Sequence, residues 1–524
     1  MPDQFSAPSL EYWNLMPMLV VFGAAIIGVL VEAFLPRAVR YLTQVAIALL
    51  GIMVALVLTA VQLDSVTAAD GTGTAKIIAE GAIAADGVAL FLWLITLTFA
   101  FLSVLLMAER RLEGGVTAFA SQAAALPGTS AERLASARHL QQTEVFPLVM
   151  FSIGGMLMFP AANDLLTMFV GLEVLSLPLY LLCGLARRRR LLSQESAMKY
   201  FLLGAFASAF FVYGSALLYG YAGSVSFSGI SAALAGRVAM DPLLIGGMAM
   251  VAVGLLFKVG AAPFHVWTPD VYQGAPTSIT SFMAVCTKIA AFGALLRLFY
   301  VALGAARVNW MPMLWIVAAL TMLVGSVLAL SQSDVKRLLA YSSIAHAGFL
   351  LVGIAAVRNS ATEPTAAVLF YLATYGFATL GAFAIVMLVR NAGGEATHLS
   401  NWAGLARTSP LVAAAMALFM LAFAGIPLTS GFMGKWVVFS SAWSAGGWPL
   451  VLFGVLASVV AAGFYLRVIV VMYFSRPAVD GPVVAAPSLA TVLTIAVGVV
   501  ATLLLGILPG PVMELATKAA SFVG

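Results

Sequence analysis

Apolar segments of about twenty residues follow one another along almost the whole chain, and short polar loops separate them. A helix of that length crosses the hydrocarbon core of a bilayer, where every backbone polar group must be satisfied internally. Only 9% of the 524 residues are charged, against about 25% in soluble domains. The pattern predicts an all-α polytopic membrane protein with a single membrane domain over 1–524 and about fourteen transmembrane helices.

Two of the predicted spans, 243–269 and 409–443, are long and contain helix-breaking residues. The first contains Gly-Ala-Ala-Pro at 260–263, and the second contains Gly-Ile-Pro at 425–427. Because proline removes a backbone donor and clashes with the preceding turn, we expect helices 7 and 12 to be broken. Many transporters place their ion sites at interrupted helices near the middle of the membrane.

Each break has one lysine beside it, Lys258 before the first break and Lys435 after the second. Segments ahead of both breaks also share an aromatic-rich start followed by small and then aliphatic residues. We therefore expect two five-helix repeats, helices 4–8 over 144–302 and helices 9–13 over 309–475. Because five is odd, the second repeat is inverted in the membrane, a plan that places transport sites at the repeat interface.

Four lysines lie within predicted spans, Lys199, Lys258, Lys288 and Lys435, and Glu173 is the acidic residue near a helix middle. Each lysine costs about 2.5–3.5 kcal/mol at a helix centre, and such residues mark ion or proton pathways. Burial favours release of a lysine proton, and a nearby carboxylate opposes it. Glu173 and Lys258 could therefore form an electrostatic switch, with Lys288 and Lys435 as successive proton stations.

Five side chains are candidates for carrying protons between Lys258, Lys288 and Lys435: Lys199, His265, His346, Tyr371 and Tyr375. The alternative is that the buried charges only fix helix packing. Four lysines against one central acid are too many for pairing alone, so at least some of them must be neutral or hydrated.

Arginine and lysine residues are unevenly divided between the two faces: fifteen follow odd-numbered spans, and five lie on the other side. Because cytoplasmic loops are enriched in positive charge, we expect both termini on the periplasmic side of a bacterial inner or plasma membrane. Arg297, near a span end, is expected to snorkel to the headgroups, and Asp86, at a span boundary, is expected to be solvated.

The two cysteines, Cys183 and Cys286, are far apart and have no CxxC spacing, which argues against iron–sulfur clusters and thiolate zinc sites. The sequence also has no Walker motif, no dinucleotide-binding glycine motif and no basic patch interleaved with aromatic residues. We therefore expect this chain to bind no cofactor, no metal and no nucleic acid. Residues 109–143 form a polar insertion, expected to be a cytoplasmic connector with a short surface helix or, alternatively, a docking surface.

Four strings occur in the order found in one known family: LEVLSLPLYLL at 172–182, PFHVWTPDVYQGAP at 263–276, DVKRLLAYSSIAHAGFLLVG at 334–353 and GIPLTSGFMGKW at 425–436. Over 144–475 the chain closely resembles the subunit N family of proton-pumping NADH:quinone oxidoreductase, respiratory complex I. The larger family is similar to subunits of cation/proton antiporters and shares the broken helices and inverted repeats.

The resemblance implies an antiporter-like proton-translocating subunit that has no redox centre of its own. Matched motif positions imply roles for four residues: Glu173 and Lys258 as the pair on helices 5 and 7, Lys288 as the central lysine of helix 8, and Lys435 as the terminal lysine of helix 12. Lys199 and His346 also match motif positions. The 109–143 insertion departs from shorter family members, so no role is transferred to it.

The partners implied by the resemblance are the other membrane subunits of complex I, the peripheral arm indirectly, and membrane lipid. NAD, FMN, iron–sulfur clusters and quinone are then bound by partner subunits. Two alternatives remain open, a subunit of a sodium/proton antiporter and a purely structural membrane subunit.

Overall fold

The computed structural model describes residues 10–68, 75–122, 129–137, 141–236, 241–357, 360–391, 393–477 and 483–523. In this described part, twelve helices are long and apolar enough to cross a membrane, and Val145–Ala161 and Pro410–Ala424 are shorter apolar helices. The predicted all-α membrane class is confirmed. The count of fourteen spans and the division into two inverted repeats stay predictions.

The helices of the first half are α1 (Tyr12–Phe34), α2 (Arg37–Thr67), α3 (Gly87–Met107), α4 (Ser130–Ala137), α5 (Val145–Ala161), α6 (Leu165–Cys183), α7 (Arg190–Ala222), α8 (Phe227–Gly236), α9 (Pro242–Val259), α10 (Trp267–Gly274), α11 (Thr277–Phe282) and α12 (Lys288–Arg297). The helices of the second half are α13 (Arg307–Leu330), α14 (Val335–Ile354), α15 (Thr362–Leu388), α16 (Leu405–Thr408), α17 (Pro410–Ala424), α18 (Ser430–Ser444), α19 (Trp448–Phe474), α20 (Leu489–Ile507) and α21 (Gly510–Ala519).

Five short strands lie outside the long helices: β1 (Lys76–Ile78), β2 (Ile83–Ala85), β3 (Val389–Asn391), β4 (Gly394–Glu395) and β5 (Val483–Val484). β1 pairs antiparallel with β2, and β3 pairs antiparallel with both β4 and β5. Short 3-10 segments occur at Arg111–Glu113, Gly304–Ala306 and Leu399–Trp402. Two π-helical segments, Met283–Thr287 and Leu298–Ala302, flank α12.

The predicted breaks in helices 7 and 12 are confirmed. α9 ends against Gly260, which has a left-handed φ of 76°, and the chain becomes helical again only at α10. α17 ends in the same way against Gly425, with a φ of 83°, and α18 begins after the turn that follows. Glycine adopts this conformation without the steric cost that a side chain would add, which is why it ends helices so often.

The loops that follow odd-numbered spans meet on one face of the molecule. Arg187 donates its backbone N–H to Ala118 at 2.8 Å, and Arg390 forms an ion pair with Glu113. Arg189 donates to Thr397 at 3.2 Å. The basic loops therefore contact one another and the described residues at the start of the 109–143 insertion, and α4 is a short helix within that insertion.

The core of the molecule surrounds the region from α11 through α12. The apolar window of Thr277–Ala302 is 100% buried, whereas that of α2 is 28% buried. α14 and α15 are also almost entirely enclosed and pack against one another. Any ionisable side chain on these three elements must therefore find its partners inside the protein.

Candidate functional site

Lys258 lies in the last turn of α9 and is 4% exposed. Its Nζ donates to Ser176 Oγ at 2.7 Å and to the Tyr200 hydroxyl at 2.9 Å. Glu173 lies one turn before Ser176 on α6 and accepts a hydrogen bond from the Ser208 hydroxyl. Glu173 is close enough to act on Lys258 electrostatically. Among the described residues, however, the two groups form no direct ion pair.

Aromatic rings complete the surroundings of Lys258. Its Nζ lies 5.1 Å from the ring centroid of Tyr200 and 5.8 Å from that of Tyr180. Tyr200 in turn stacks on Trp267 of α10, with ring centroids 4.7 Å apart and an interplanar angle of 13°. Hydroxyl oxygens and ring faces stabilise a cation without binding it as firmly as a carboxylate would.

Lys288 is the first residue of α12, directly after a π-helical turn, and it is 3% exposed. π-Helical turns occur often at functional sites because they change the direction in which side chains point. Lys288 Nζ donates to the backbone oxygen of Ser343 at 2.5 Å and lies 5.5 Å from the ring centroid of Tyr375. The Tyr375 hydroxyl donates to Ser343 Oγ at 2.9 Å, so one serine contacts both side chains.

His346 lies one turn after Ser343 on α14 and contacts hydroxyl groups on both sides of its ring. Its Nδ1 is 2.7 Å from the Tyr371 hydroxyl, and its Nε2 is 3.3 Å from the Tyr465 hydroxyl. The ring centroids of His346 and Tyr375 are 5.1 Å apart. Imidazole can donate at one nitrogen and accept at the other, which suits it to pass protons between two hydroxyl groups.

Lys435 lies in α18, two turns after the second break, and is 6% exposed. Its Nζ donates to the backbone oxygens of Phe423 at 2.9 Å and Ala424 at 3.2 Å, and to Ser458 Oγ at 2.6 Å. Phe423 and Ala424 end α17, so the lysine satisfies carbonyls that the broken helix leaves without an internal partner. An apolar cavity of about 670 Å³ between α18 and α19 opens beside this lysine.

Lys199 and His265 lie apart from these contacts. The Lys199 side chain is 41% exposed and forms ion pairs with Asp270 at 2.7 Å and Glu195 at 2.8 Å. Asp270 also accepts from Arg337 at 2.5 Å. Burial raises the pKa of Asp270, but the hydrogen bonds from Lys199 and Arg337 outweigh it and hold the pKa below its usual value. His265 is half-buried in the connection between α9 and α10.

Two expectations about charged residues are wrong. Arg297 does not reach the headgroups and Asp86 is not solvated, because both are 0% exposed and bind each other through two hydrogen bonds of 2.8 and 2.7 Å. Asp86 also caps α3 by accepting from Ala89 N at 2.9 Å, and Arg297 Nε donates to the backbone oxygen of Pro160 at 2.7 Å. The C-terminal segment covers the pair, with Val523 N donating to Asp86 at 3.1 Å.

Sequence reasoning missed the hydroxyl groups that contact these lysines or bind Glu173, His346 and their partners: Ser176, Tyr200, Ser208, Ser342, Ser343, Ser458 and Tyr465. A local signal for three of them is present. Ser176 follows Glu173 by three residues, and Ser342 and Ser343 precede His346 by four and three, so each lies on the same helix face as a predicted site residue. The remaining four hydroxyl groups lie on helices other than α6 and α14 and have no such signal.

The described residues hold no group of three or more His, Cys, Asp and Glu side chains placed to bind a metal. Cys183 and Cys286 are both buried and form no disulfide. What Lys258, Lys288 and Lys435 share is a set of neutral oxygens and aromatic rings as neighbours. Such an arrangement can hold a proton on an amine and can release it again without first breaking a strong ion pair.

The chain matches the family described as NADH:quinone oxidoreductase/Mrp antiporter, TM, over residues 162–461. It is 60% identical to an NADH-quinone oxidoreductase subunit N from Nocardioides sp., over 99% of both chains. It is 55% identical to an NADH-quinone oxidoreductase subunit N from Mycobacterium bovis, again over 99% of both.

Two solved structures extend the comparison. A chain of respiratory complex I from Thermus thermophilus with bound Aureothin has a TM-score of 0.75 and 34% identity, covering 95% of this chain and 98% of that chain. A chain of the Mrp complex from Dietzia sp. has a TM-score of 0.80 and 21% identity, covering 98% and 97%. At 21% identity the second likeness concerns the fold alone.

Proposed function

Since the chain belongs to the family of NADH-quinone oxidoreductase subunit N, we propose that it translocates protons as an antiporter-like membrane subunit of that complex. NADH oxidation and quinone reduction take place in partner subunits, which hold the NAD, FMN, iron–sulfur and quinone sites. The energy of those reactions reaches this chain through its contacts with the other membrane subunits.

One observation supports this function most strongly. Lys258, Lys288 and Lys435 are 4%, 3% and 6% exposed, and among the described residues none of them forms a direct ion pair with a carboxylate. A structural role would call for a fixed counter-charge, because an unpaired buried charge is costly. Amines held by neutral oxygens can instead exchange protons, since the neutral form is accessible to a desolvated lysine.

Glu173 acts as the switch in the first half. In the present arrangement it binds Ser208, and Lys258 is left with Ser176 and Tyr200. When Glu173 turns towards Lys258, its negative charge holds the proton on the amine. A direct pair about 4 Å apart at an effective dielectric near 20 interacts by about 4 kcal/mol. When Glu173 returns to Ser208, that attraction weakens and the proton can leave.

The second half connects Lys288 to Lys435 through hydroxyl and imidazole groups. Ser343 and Tyr375 contact Lys288, and His346 lies beside Tyr375. Each hydroxyl takes up one proton and gives up another, so charge moves while the groups themselves stay neutral. Lys435 then receives the proton at the second broken helix, next to the cavity between α18 and α19.

Orientation in the membrane follows from the same charge distribution. The basic loops that meet on one face of the molecule face the cytoplasm, by the rule that cytoplasmic loops are enriched in Arg and Lys. Both termini then lie on the periplasmic side of the plasma membrane. We propose that Lys199 and His265 act where protons are taken up from the cytoplasmic side.

The test replaces Lys288 by methionine in the complete, membrane-embedded complex. Methionine keeps an unbranched side chain one atom shorter than lysine and removes the amine, so Lys288→Met should assemble, lose most proton pumping and slow quinone reduction. Lys518→Met is the matched control, because Lys518 is exposed on α21 and forms a surface ion pair with Glu514 at 2.9 Å. Wild-type pumping per assembled Lys288→Met complex would contradict the proposal, and pumping that requires sodium would favour the sodium/proton antiporter alternative.

A further inference from the structure

The hydrogen bonds described above do not connect the Lys258 site to Lys288, which leaves a gap in the proposed proton path. Lys258 contacts Tyr200, and Lys288 contacts Ser343 and the ring of Tyr375. The side chain of Tyr272, on α10, lies in this gap and is buried. It is not one of the groups to which the proposed function assigns a role.

Tyr272 touches both sides of the gap. Its hydroxyl interacts with the side chain of Ser343, which binds Tyr375 and whose backbone oxygen binds Lys288. On the other side its ring meets the indole of Trp267 edge-on, with centroids 6.4 Å apart. Trp267 is the residue on which Tyr200 stacks. A single indole therefore separates Tyr272 from the tyrosine that binds Lys258.

We propose that the Tyr272 hydroxyl carries the proton between the Lys258 site and Lys288, and that α10 positions it for this step. The inference rests on the proposed function and names a residue that this function requires. The ring of Tyr272 is itself held in place, since it packs edge-on against Phe383 of α15 at 6.1 Å as well as against Trp267.

The transfer balances as a chain of hydroxyl exchanges. The Lys258 ammonium gives a proton to the Tyr200 oxygen, and Tyr200 passes its own proton to a water molecule that the proposed path requires between Tyr200 and Tyr272. The water passes one proton to Tyr272, and Tyr272 passes one to Ser343, which delivers one to the neutral amine of Lys288. At each oxygen one O–H bond forms and one breaks, so the net change is a neutral Lys258 and a protonated Lys288.

The placement of Tyr272 depends on the ion pairs on the outer side of α10. Asp270 lies two residues before Tyr272, and residues two apart on a helix do not share a face. Asp270 binds Lys199 of α7 at 2.7 Å and Arg337 of α14 at 2.5 Å, which fixes α10 between the two halves of the molecule. Asp270 is thus a positioning residue for the inward-facing tyrosine.

The test compares two tyrosine-to-phenylalanine variants in the assembled complex. Tyr272→Phe keeps the ring contacts and removes the hydroxyl. We expect pumping and quinone reduction to fall about tenfold, the change expected when one hydrogen bond of a transfer path is lost. Tyr300→Phe is the control, because Tyr300 is a half-buried tyrosine with one hydrogen bond, to the Ile354 oxygen at 2.8 Å, away from the path. It should keep wild-type rates.

The solvent isotope effect separates a proton-carrying role from a packing role. If Tyr272 carries the proton, the ratio of rates in H₂O and D₂O should rise in Tyr272→Phe, because the weakened proton step limits turnover. A packing defect would leave that ratio unchanged. Ser343→Ala removes the next hydroxyl while keeping the backbone oxygen that binds Lys288, so it should show the same rise and serves if Tyr272→Phe does not assemble.

Two outcomes would overturn separate claims. The first outcome is that assembled Tyr272→Phe keeps the wild-type rate and isotope effect while Lys258→Ala pumps poorly. It would show that Tyr272 carries no proton, and it would not contradict the proposed function. Wild-type pumping in both variants would contradict the proposed function itself.

Discussion

Arg297 and the lysines Lys258, Lys288 and Lys435 are buried positive charges that differ in what surrounds them. Arg297 is bound by Asp86 through two hydrogen bonds of 2.8 and 2.7 Å, under a C-terminal segment that excludes solvent. Lys258, Lys288 and Lys435 are buried to a similar degree but contact hydroxyl groups, backbone oxygens and rings. Burial is therefore common to both kinds, and the chemistry of the partner distinguishes them.

This difference shows how a buried charged side chain in a membrane protein can be assigned a structural or a functional role. Arginine does not lose its proton in proteins, and a bidentate carboxylate partner matches its geometry. Such a pair has one stable state and suits packing. A lysine among neutral oxygens has two accessible states, protonated and neutral, which is the requirement for carrying a proton.

The largest effect on assembly is expected from breaking the ion pair of Arg297 and Asp86. Arg297→Leu leaves Asp86 buried without its counter-charge, and removing one partner of a buried pair costs about 3–5 kcal/mol. We expect little assembled complex in membranes and a lower melting temperature for what assembles. Replacing both residues by apolar ones, as Arg297→Leu with Asp86→Leu, should recover part of the loss. Normal assembly of Arg297→Leu would show that the pair contributes little to structure.

A smaller effect is expected from the exposed ion pairs of α10. Asp270→Asn weakens its contacts with Lys199 and Arg337, and partly exposed pairs contribute at most about 1 kcal/mol after solvent screening. Because the folded-state pKa of Asp270 is lowered, this contribution is fully present above its unfolded pKa of about 3.9 and is lost as the pH falls through the folded value.

We therefore expect the difference in melting temperature between wild type and Asp270→Asn to be small and constant from pH 5 to pH 8. The measurement is thermal unfolding of the purified complex across that range. A difference that changes steeply near neutral pH would mean that another group controls these contacts.

Some of this account could be predicted from the sequence, for local reasons. The breaks follow from glycine and proline within apolar runs, and the lysines stand out because charge is costly at membrane depth. Such signals belong to single positions or to one turn of helix. They identified the interrupted helices and the four charged residues Glu173, Lys258, Lys288 and Lys435.

Partners from distant parts of the chain could not be predicted in the same way. Asp86 and Arg297 are separated by 211 residues, and nothing near either one indicates the other. Lys199 is a second example. Counting spans placed this residue inside the membrane but did not predict the direction of its side chain. In the structure that side chain turns to Asp270 and Glu195 at the surface.

The most direct test of the central claim is Lys258→Arg, with proton pumping and quinone reduction measured in membranes and normalised to assembled complex. Arginine keeps the positive charge and can still donate to Ser176 and Tyr200, but it does not release its proton. If Lys258 stores and releases a proton, the variant should assemble, pump little and reduce quinone slowly. If assembled Lys258→Arg pumps at near wild-type levels, Lys258 has a packing role and the account of the buried lysines is wrong.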